Sequence, residues 1–290
     1  MRSIIVTLVL FAVSLAASYA SGVVGEEAVT ADSFEYDGIR EIRLRDGSFF
    51  DVVINGSSRT TVAGQVAMPE KNLDKYRIVH EKRGPVLEIS LEKKVAILGI
   101  TGKNEIILEV PTQTLLDIVT SSGSQVVEGI ESARMVLKAS SGDILLLAGT
   151  GNVSAEVSSG KISLSEVTGN ITARSSSGDQ KYENVTGDIA AQSSSGKITI
   201  REQTGMLDLK ATSGDLKGEG VRLTGNSSFA TSSGRIEFDF SNPIEEISFD
   251  LSASSGSLSA GESRGEKRLV LQVGGIRIVG KSSSGDQTYQ

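Results

Sequence analysis

Apolar and polar residues alternate along most of the chain from residue 39 onward, with the two-residue period of a strand that is buried on one side. Residues 160–174 are typical, because two short alternating runs flank a Thr-Gly-Asn turn signal. Runs this short favour strands over helices, and glycine, serine, threonine and asparagine suit the tight turns between them. The pattern therefore predicts an all-β chain in which the glycines adopt the φ > 0 conformations of turns.

A serine-serine-glycine signal returns along this chain with a fixed period. It steps by 18 residues from Gly142 to Gly214, and a second, usually threonine-glycine, signal falls nine residues after each of the first four. After Gly214 the steps lengthen to 20, 22 and 29 residues, so the extra residues are predicted to form loops. A fixed period of this size is typical of a repeat architecture. We interpret nine glycines as structural turn glycines: Gly123, Gly142, Gly160, Gly178, Gly196, Gly214, Gly234, Gly256 and Gly285.

Aligning the repeats places the apolar residues in columns. Two of these columns are Ile144, Ile162, Ile198 and Ala155, Ala173, Ala191. One repeat cannot bury its own apolar side, so neighbouring repeats must supply the core. The sequence therefore predicts a β-solenoid, similar to a parallel β-helix, with rungs of roughly 18 residues, and the alanines predict a thin coil.

A column of alternating charge follows the serine-serine-glycine signal. Its members are Asp143, Lys161, Asp179, Lys197, Asp215 and Arg235. Stacked rungs lie roughly 4.8 Å apart, so we expect opposite charges in neighbouring rungs to attract one another and to fix the register.

The chain divides into four predicted segments. Residues 1–20 are predicted to be a cleaved signal peptide, because Arg2 precedes an apolar run and small residues follow it. Residues 21–34 are expected to be a loose leader. Residues 35–120 form an N-terminal β section, with a helical turn at residues 71–74, that either caps the coil or makes its first irregular rungs. Residues 121–290 are the solenoid repeats, and the chain is expected to stop in mid-rung without a cap.

Composition limits the classes of partner. Without its signal the chain has 28 basic and 36 acidic residues, a net charge of −8, which argues against nucleic acid and anionic membrane surfaces. With no cysteine there is no disulfide, thiolate metal site, cysteine nucleophile or lipid-attachment cysteine. Aromatic residues are few and tryptophan is absent, which weakens the case for a stacking platform for sugars or bases. No segment after the signal is apolar enough to span a membrane.

Candidate chemistry is sparse. His80 is the single histidine, and we interpret it as a surface side chain with no triad or zinc partners. The recurring Gly-Asp pairs resemble calcium-binding β-rolls, but Lys161 and Lys197 replace the acid in alternate rungs, which disfavours calcium. An ice-binding face is disfavoured by outward charges such as Arg174 and Lys210. We therefore expect no cofactor, no metal and no catalytic residue.

Irregular loops offer the best candidate binding residues, because insertions in repeats gather on one face. The alternative interpretation is a solvated loop rim. These residues are Arg222, Asp239, Glu245, Glu246, Arg264, Glu266 and Lys267.

Residues 107–111 (Ile-Leu-Glu-Val-Pro) and 116–123 (Leu-Asp-Ile-Val-Thr-Ser-Ser-Gly), followed by the recurring Ser-Ser-Gly-Asp/Lys-Ile, resemble a bacterial family of candidate adhesins of unknown function that is related to the head-GIN domain. The resemblance covers roughly residues 35–290. It implies a β-solenoid outside the cytoplasm, involved in adhesion or envelope biology, with no established catalytic residues.

The sequence thus predicts an exported, non-enzymatic adhesin or cell-envelope scaffold, located in the periplasm, at the cell surface or outside the cell. Its expected partner is a surface glycan or protein. Two alternatives stay open: self-association through an uncapped last rung, and a carbohydrate-active enzyme built on a β-helix.

Overall fold

The computed structural model describes residues 28–45, 47, 49–94 and 102–290. The predicted signal peptide and residues 21–27 of the predicted leader lie outside the described residues. The described chain is almost entirely β-structure.

The strands run as follows in chain order. The N-terminal part holds β1 Ala28–Asp37, β2 Glu41–Arg45, β3 Asp51–Ser57, β4 Thr61–Pro69, helix α1 Glu70–Leu73, β5 Tyr76–Arg83, β6 Val86–Lys93, β7 Glu105–Pro111, β8 Leu115–Thr120, β9 Gln125–Glu128 and β10 Glu131–Ala139. The repeats supply β11 Ile144–Val157, β12 Ile162–Thr168, β13 Ile171–Ser175, β14 Gln180–Thr186, β15 Ile189–Ser193, β16 Ile198–Gly205, β17 Leu207–Ala211, β18 Leu216–Leu223, β19 Ser227–Thr231 and β20 Ile236–Phe240. After a 3-10 turn at Ile244–Glu246 come β21 Ile247–Ser255, β22 Leu258–Ala260, β23 Ser263–Gly265, β24 Arg268–Leu271, β25 Ile276–Ser284 and β26 Gln287–Tyr289.

The repeats coil around two walls, and this confirms the predicted β-solenoid. Wall A contains the strands that follow each serine-serine-glycine signal, and wall B contains the strands that follow each midpoint glycine. Neighbouring strands in a wall are parallel and in register, so that Ile144 pairs with Ile162 in wall A and Ala155 pairs with Ala173 in wall B. The inward columns are buried, including the wall B alanines Ala155, Ala173 and Ala191.

The turn glycines are required by the approach of successive rungs. A Cβ atom on Gly178 would lie 1.6 Å from the carbonyl oxygen of Gly160, and the same contact recurs at 1.9–2.0 Å at Gly142, Gly160, Gly196 and Gly214. None of these five glycines has a positive φ, so the predicted reason for them was wrong. The midpoint glycines do lie in that region, as at Gly169 with φ 140°.

The alternating charge column is in register, but its contacts differ from the predicted ion pairs. The Asp179 carboxylate accepts a hydrogen bond from the backbone N–H of Lys197 at 2.9 Å, and Asp143 and Asp215 accept from Lys161 and Arg235 at 2.8 Å. An aspartate in every second rung therefore binds the backbone of the rung that follows it.

At the N-terminal end, the order of rungs in space departs from the order in sequence. The strands β2 and β3 lie between the rung of β6 and β7 and the rung of β8 and β9. Antiparallel strands then cover the end: β4 pairs with β7, β1 with β4, and β5 with β6. This section therefore supplies both irregular rungs and a cap. Residues 28–34, expected in a loose leader, lie in β1, and α1 confirms the predicted helical turn, one residue earlier.

At the C-terminal end, too, the order of rungs in space departs from the order in sequence. The last strands of the chain are inserted into the stack: β25 lies between β19 and β21, and β26 lies between β20 and β22. The antiparallel strands β23 and β24 lie beyond them and cover the end. The prediction of an uncapped last rung was therefore wrong, because the last residues form an internal rung.

Within the described residues, each wall contains eleven parallel strands. Wall B runs from β6 through β2, β8, β10, β11, β13, β15, β17, β19 and β25 to β21. Wall A runs from β7 through β3, β9, β11, β12, β14, β16, β18, β20 and β26 to β22. Ten spacings of about 4.8 Å give a stack of about 48 Å.

Candidate functional site

The seven residues predicted in binding loops fall into two separate groups. Arg222, Asp239, Glu245 and Glu246 are exposed where wall A ends and the chain turns toward wall B. Residues 264, 266 and 267 lie in the cap strands and their turn, and β26 and β22 separate β20 from β23 in wall A. In the described part of the chain, no hydrogen bond or ion pair joins any two of the seven side chains.

Residues 261–267 have a structural part in the cap. Strand β23 pairs with β22, Arg264 donates hydrogen bonds to the carbonyl oxygens of Gly261 and Ser263, and Lys267 accepts from the N–H of Ala253. Shortening this segment would remove a cap strand, so it cannot test binding alone.

A shallow groove of about 520 Å³ runs along the outer surface of wall B. It crosses five consecutive strands, β13, β15, β17, β19 and β25. Its floor is the outward column of Thr172, Ala190, Asp208, Ser228 and Val279, which the strand register places side by side. Twelve of the fourteen lining residues come from four successive repeats and β25 supplies the other two, so the groove exists only once the rungs have stacked.

One side of the groove is formed by the turns that enter wall B. These turns contribute Asn170, Asp188, Met206 and Asn226, and the start of β25 contributes Arg277. Met206 is 42% exposed, whereas the other described methionines, Met68 and Met135, are buried. The amide oxygens of the asparagines hold the next turn, since Asn170 accepts from the N–H of Asp188 at 3.1 Å and Asn226 from that of Arg277 at 2.9 Å.

The groove's carboxylates are engaged by the protein itself. Asp188 accepts a hydrogen bond from the N–H of Met206 at 2.8 Å. Asp208 accepts hydrogen bonds from the Ser228 hydroxyl and from Lys210 Nζ, the second at 2.9 Å. Partial burial acts to raise the pKa of Asp208, but these two hydrogen bonds outweigh it and hold the pKa below its ordinary value. Asp208 therefore stays ionised, which suits a fixed acceptor and does not suit a proton donor.

A second concave region of about 480 Å³ lies on the N-terminal half of wall B and is filled with ion pairs. Arg45 pairs with Asp117, and Arg43 with Glu41 at 2.9 Å. The hydrogen bond from Arg45 lowers the pKa of Asp117. Opposite charges neutralise one another here. We therefore interpret these ion pairs as contacts that help to fix the register between β2 and β8.

His80 lies in the N-terminal cap and is more enclosed than a surface histidine, with 21% of its side chain exposed. Its ring stacks on Phe34 with centroids 4.1 Å apart, Nδ1 shares a hydrogen bond with the Tyr36 hydroxyl at 2.8 Å, and Nε2 contacts Asp32 at 3.2 Å. These contacts join cap strand β1, which pairs through β4 with wall A, to cap strand β5, which pairs with β6 of wall B, so His80 helps to close the end of the stack.

The recurring aspartates are occupied by backbone contacts. Besides Asp143, Asp179, Asp188 and Asp215, whose contacts are given above, Asp286 accepts from the N–H and hydroxyl of Ser257, both at 2.8 Å. Among the described residues, no group of three or more His, Cys, Asp or Glu side chains is placed to hold a metal ion. In the same residues, no helix has the length and apolar character needed to cross a bilayer.

A family model places this architecture among known proteins. The model of Toastrack DUF4097 matches residues 39–290. The chain belongs to the Toastrack DUF4097 family. The matched range of this Toastrack chain takes in both walls and both caps, with the exception of β1.

The solved structures that match the Toastrack chain have low sequence identity to it. A candidate adhesin from Bacteroides fragilis is 16% identical with a TM-score of 0.49, and the match covers 91% of this chain and 97% of that one. A candidate adhesin from Parabacteroides distasonis is 15% identical with a TM-score of 0.39, covering 91% and 97%. A candidate lipid-binding protein from the same organism is 16% identical with a TM-score of 0.41, covering 88% and 96%. No curated protein matches the chain.

Sequence reasoning missed the groove for a physical reason. Its floor is a column of single residues, each 18 or 20 residues from the last until the step from Ser228 to Val279, which spans 51 residues. The usable signal was the outward position three residues after each midpoint glycine, where the small, uncharged Thr172 and Ala190 lie on a surface with many charged residues.

Proposed function

We propose that this chain is an exported, non-enzymatic binding protein, an adhesin or cell-envelope interaction module that presents a rigid groove on wall B. The groove across five strands carries the proposal. Export is supported by the signal-like pattern of residues 1–20, and it would place the protein in the periplasm, at the cell surface or outside the cell. The proposed partner is a surface glycan or a surface protein.

The groove suits an elongated ligand that lies along the stack. Each strand contributes one outward position to the floor, so a ligand made of repeating units meets the protein at a regular spacing of about 4.8 Å. The backbone beneath is held by continuous parallel pairing and a buried core. Because the surface is already ordered, binding requires little further loss of conformational entropy.

Binding without catalysis is supported by the state of the groove's acids. Glycoside hydrolysis requires one carboxyl group with a raised pKa that donates a proton. Asp208 has a lowered pKa and two protein donors, and the carboxylate of Asp188 is engaged by a backbone N–H. Both carboxylates thus act as structural acceptors.

The test is capture of ligands by residues 21–290 on a glycan array and from envelope fractions, with a groove-blocking variant beside it. Ala190 is exposed on the groove floor, so Ala190→Trp should fill the groove without disturbing the core. Thr199→Trp is the matched control, because Thr199 is the corresponding outward residue on the next strand, in wall A.

We expect the wild type and Thr199→Trp to capture the same ligand and Ala190→Trp to lose it. Equal capture by all three proteins would place binding elsewhere on the molecule. Turnover of a captured glycan would contradict a purely binding role.

A further inference from the structure

We propose that the groove binds a linear acidic polysaccharide that carries one carboxylate on every second sugar and lies along the axis of the stack. This inference rests on the proposed function and names the chemical class of its ligand. The residues that would hold the carboxylates are Lys138, Arg174, Lys210 and Lys281.

These four cations form one row along wall B, in which Arg174, Lys210 and Lys281 lie beside the groove floor and Lys138 lies two strands beyond it. Strand pairing places them in one outward column of wall B, in the order Lys138, Glu156, Arg174, Gln192, Lys210, Ala230, Lys281. A cation therefore occurs on every second strand, about 9.6 Å apart. All four side chains are exposed. We call this row the cation row.

The last member joins the cation row only through the strand insertion at the C-terminal end. In sequence, Lys210 follows Arg174 by 36 residues, whereas Lys281 follows Lys210 by 71. In space β25 lies directly beside β19, so Lys281 takes the place two strands beyond Lys210. A spacing that breaks in sequence is thus regular on the surface of wall B.

The cation row and the groove form one surface. Arg174 and Thr172 lie two residues apart on β13, and Lys210 and Asp208 do so on β17. Such pairs point to the same side of a sheet, about 6.6 Å apart. A chain in the groove would therefore have its side groups within reach of the cations.

The opposite side of the groove offers neutral hydrogen-bond donors. The amide oxygens of Asn170 and Asn226 are held by backbone N–H groups. In the described part of the chain their Nδ2 groups have no protein acceptor, so they are available to sugar hydroxyls. The groove therefore combines cations on one side with polar donors on the other.

Charge and spacing together select this class of ligand. The chain as a whole has a net charge of −7, whereas this outward column holds four cations and one acid, Glu156, and therefore attracts an anion at short range. A single-stranded nucleic acid would need aromatic platforms for its bases, and none of the fourteen residues that line the groove is aromatic. A sugar ring and a strand spacing are similar in length along the axis, so an acid on every second sugar matches a cation on every second strand.

The cations differ in how freely they can bind. Lys210 pairs with Asp208 at 2.9 Å and Lys138 with Glu156 at 3.0 Å. Within the described residues, Arg174 and Lys281 have no ion-pair partner. Exposed ion pairs are weak, so a ligand carboxylate can share the paired cations, but we expect Arg174 to contribute most.

The experiment is titration of residues 21–290 with hyaluronan octasaccharide, which carries one carboxylate per two sugars, and with a neutral chitin oligosaccharide of equal length. We expect saturable binding of hyaluronan that weakens with added salt, and no binding of the neutral oligosaccharide.

Replacing two cations, in Arg174→Gln/Lys210→Gln, should weaken hyaluronan binding at least tenfold. The matched control is Lys161→Gln/Lys197→Gln, which removes two exposed cations that are also two rungs apart, at the turns into wall A, and should leave binding unchanged.

A second variant tests the spacing at constant net charge. Arg174→Gln/Gln192→Arg moves one cation to the next strand, and we expect it to weaken hyaluronan binding several-fold.

Equal loss in the Lys161/Lys197 control would show non-specific attraction and would overturn the inference. If hyaluronan does not bind while another ligand is captured in an Ala190-dependent way, the polysaccharide assignment fails and the proposed function survives. If no ligand is captured at all, the proposed function fails as well.

Discussion

Two segments with nearly the same sequence occupy very different places in the chain. Residues 175–182 and 282–289 differ only at Lys181 and Thr288. In the first segment, Gln180 donates hydrogen bonds to Ser175 Oγ and to the Gln192 carbonyl, both at 2.7 Å, and Tyr182 donates to Gln180 Oε1 at 2.6 Å. The local sequence therefore builds a small buried polar chain across the turn.

The second segment makes equivalent contacts in a different topological setting. Gln287 donates to Ser282 Oγ at 2.9 Å and to the Ser252 carbonyl at 2.8 Å, and Tyr289 donates to Gln287 at 3.2 Å. The first segment is followed in space by the next repeat of the sequence. The second lies between two rungs that are formed by earlier residues of the chain. Local sequence thus determines the shape of a rung, while the cap strands determine where the last rung goes.

The largest expected effect is that of removing the inserted rung. Deleting residues 276–290 takes away β25 and β26, and with them the buried side chains of Ile278 and Tyr289. Strands β21 and β22 would then lose the parallel neighbours that satisfy their backbone groups. We expect a loss of more than about 4 kcal/mol in the free energy of unfolding, measured by urea denaturation.

A deletion in the middle of the chain provides the control for this truncation. Removing residues 161–196 takes away 36 residues, two complete repeats, and joins Gly160 to Lys197. The Asp143 carboxylate would again meet a lysine N–H, so we expect this larger deletion to fold cooperatively. Greater damage from the 36-residue deletion than from the 15-residue truncation would contradict the difference between repeating and inserted rungs.

The different positions of these two segments in the stack also show what can be predicted from the sequence. Repeat period, strand positions and inward columns could be predicted because each depends on contacts within a rung or with the next repeat, as for Ile162 and Ile171. The order of rungs at the ends could not, because Ile278 and Ile171 have the same local pattern and differ only in their neighbours. The groove depended on this order, since β25 completes it, and so it was missed.

The second largest effect is expected at the glycine ladder. A Cβ on Gly178 would lie 1.6 Å from a backbone oxygen, which cannot move without opening the stack. We expect Gly178→Ala to lower the free energy of unfolding by about 1–3 kcal/mol. Gly275→Ala is the control, since a Cβ there meets no atom within 4 Å and the residue has no positive φ. Similar costs at both positions would rule out rung spacing as the reason for glycine.

A smaller effect is expected when the buried hydroxyl is removed from either of the two similar segments. Tyr182→Phe would leave Gln180 Oε1 without a partner, the state already found at Gln125, where Val127 stands in place of the tyrosine. We expect a loss of about 1–2 kcal/mol, and less for Tyr289→Phe because its hydrogen bond is longer. Denaturation of both variants at neutral pH measures this difference, and a larger loss at Tyr289 would contradict it.

The same tyrosines predict a dependence on alkaline pH. Burial raises the pKa of Tyr182 and of Tyr289 well above the ordinary value of 10.0. Below pH 10 both states keep the proton, so stability is unaffected. Above pH 10 the unfolded chain loses it first, and stability falls as pH rises. The double Phe variant should therefore show a shallower loss of stability between pH 10 and pH 11, and an unchanged slope would contradict this assignment.

The smallest effect separates two explanations of the charge column. If opposite charges attracted across the rungs, removing either member of a pair would destabilise the protein equally. The hydrogen bond from Lys197 N–H to the Asp179 carboxylate predicts asymmetry, because the lysine contributes its backbone and the aspartate its side chain. We expect Asp179→Ala to lower Tm by about 2 °C, since an exposed hydrogen bond contributes little, and Lys197→Gln to leave Tm unchanged. Asp179→Asn keeps an acceptor oxygen and should recover most of the loss. Equal shifts for Asp179→Ala and Lys197→Gln would favour the ion-pair explanation, and the alternation of charge would then reflect attraction between side chains.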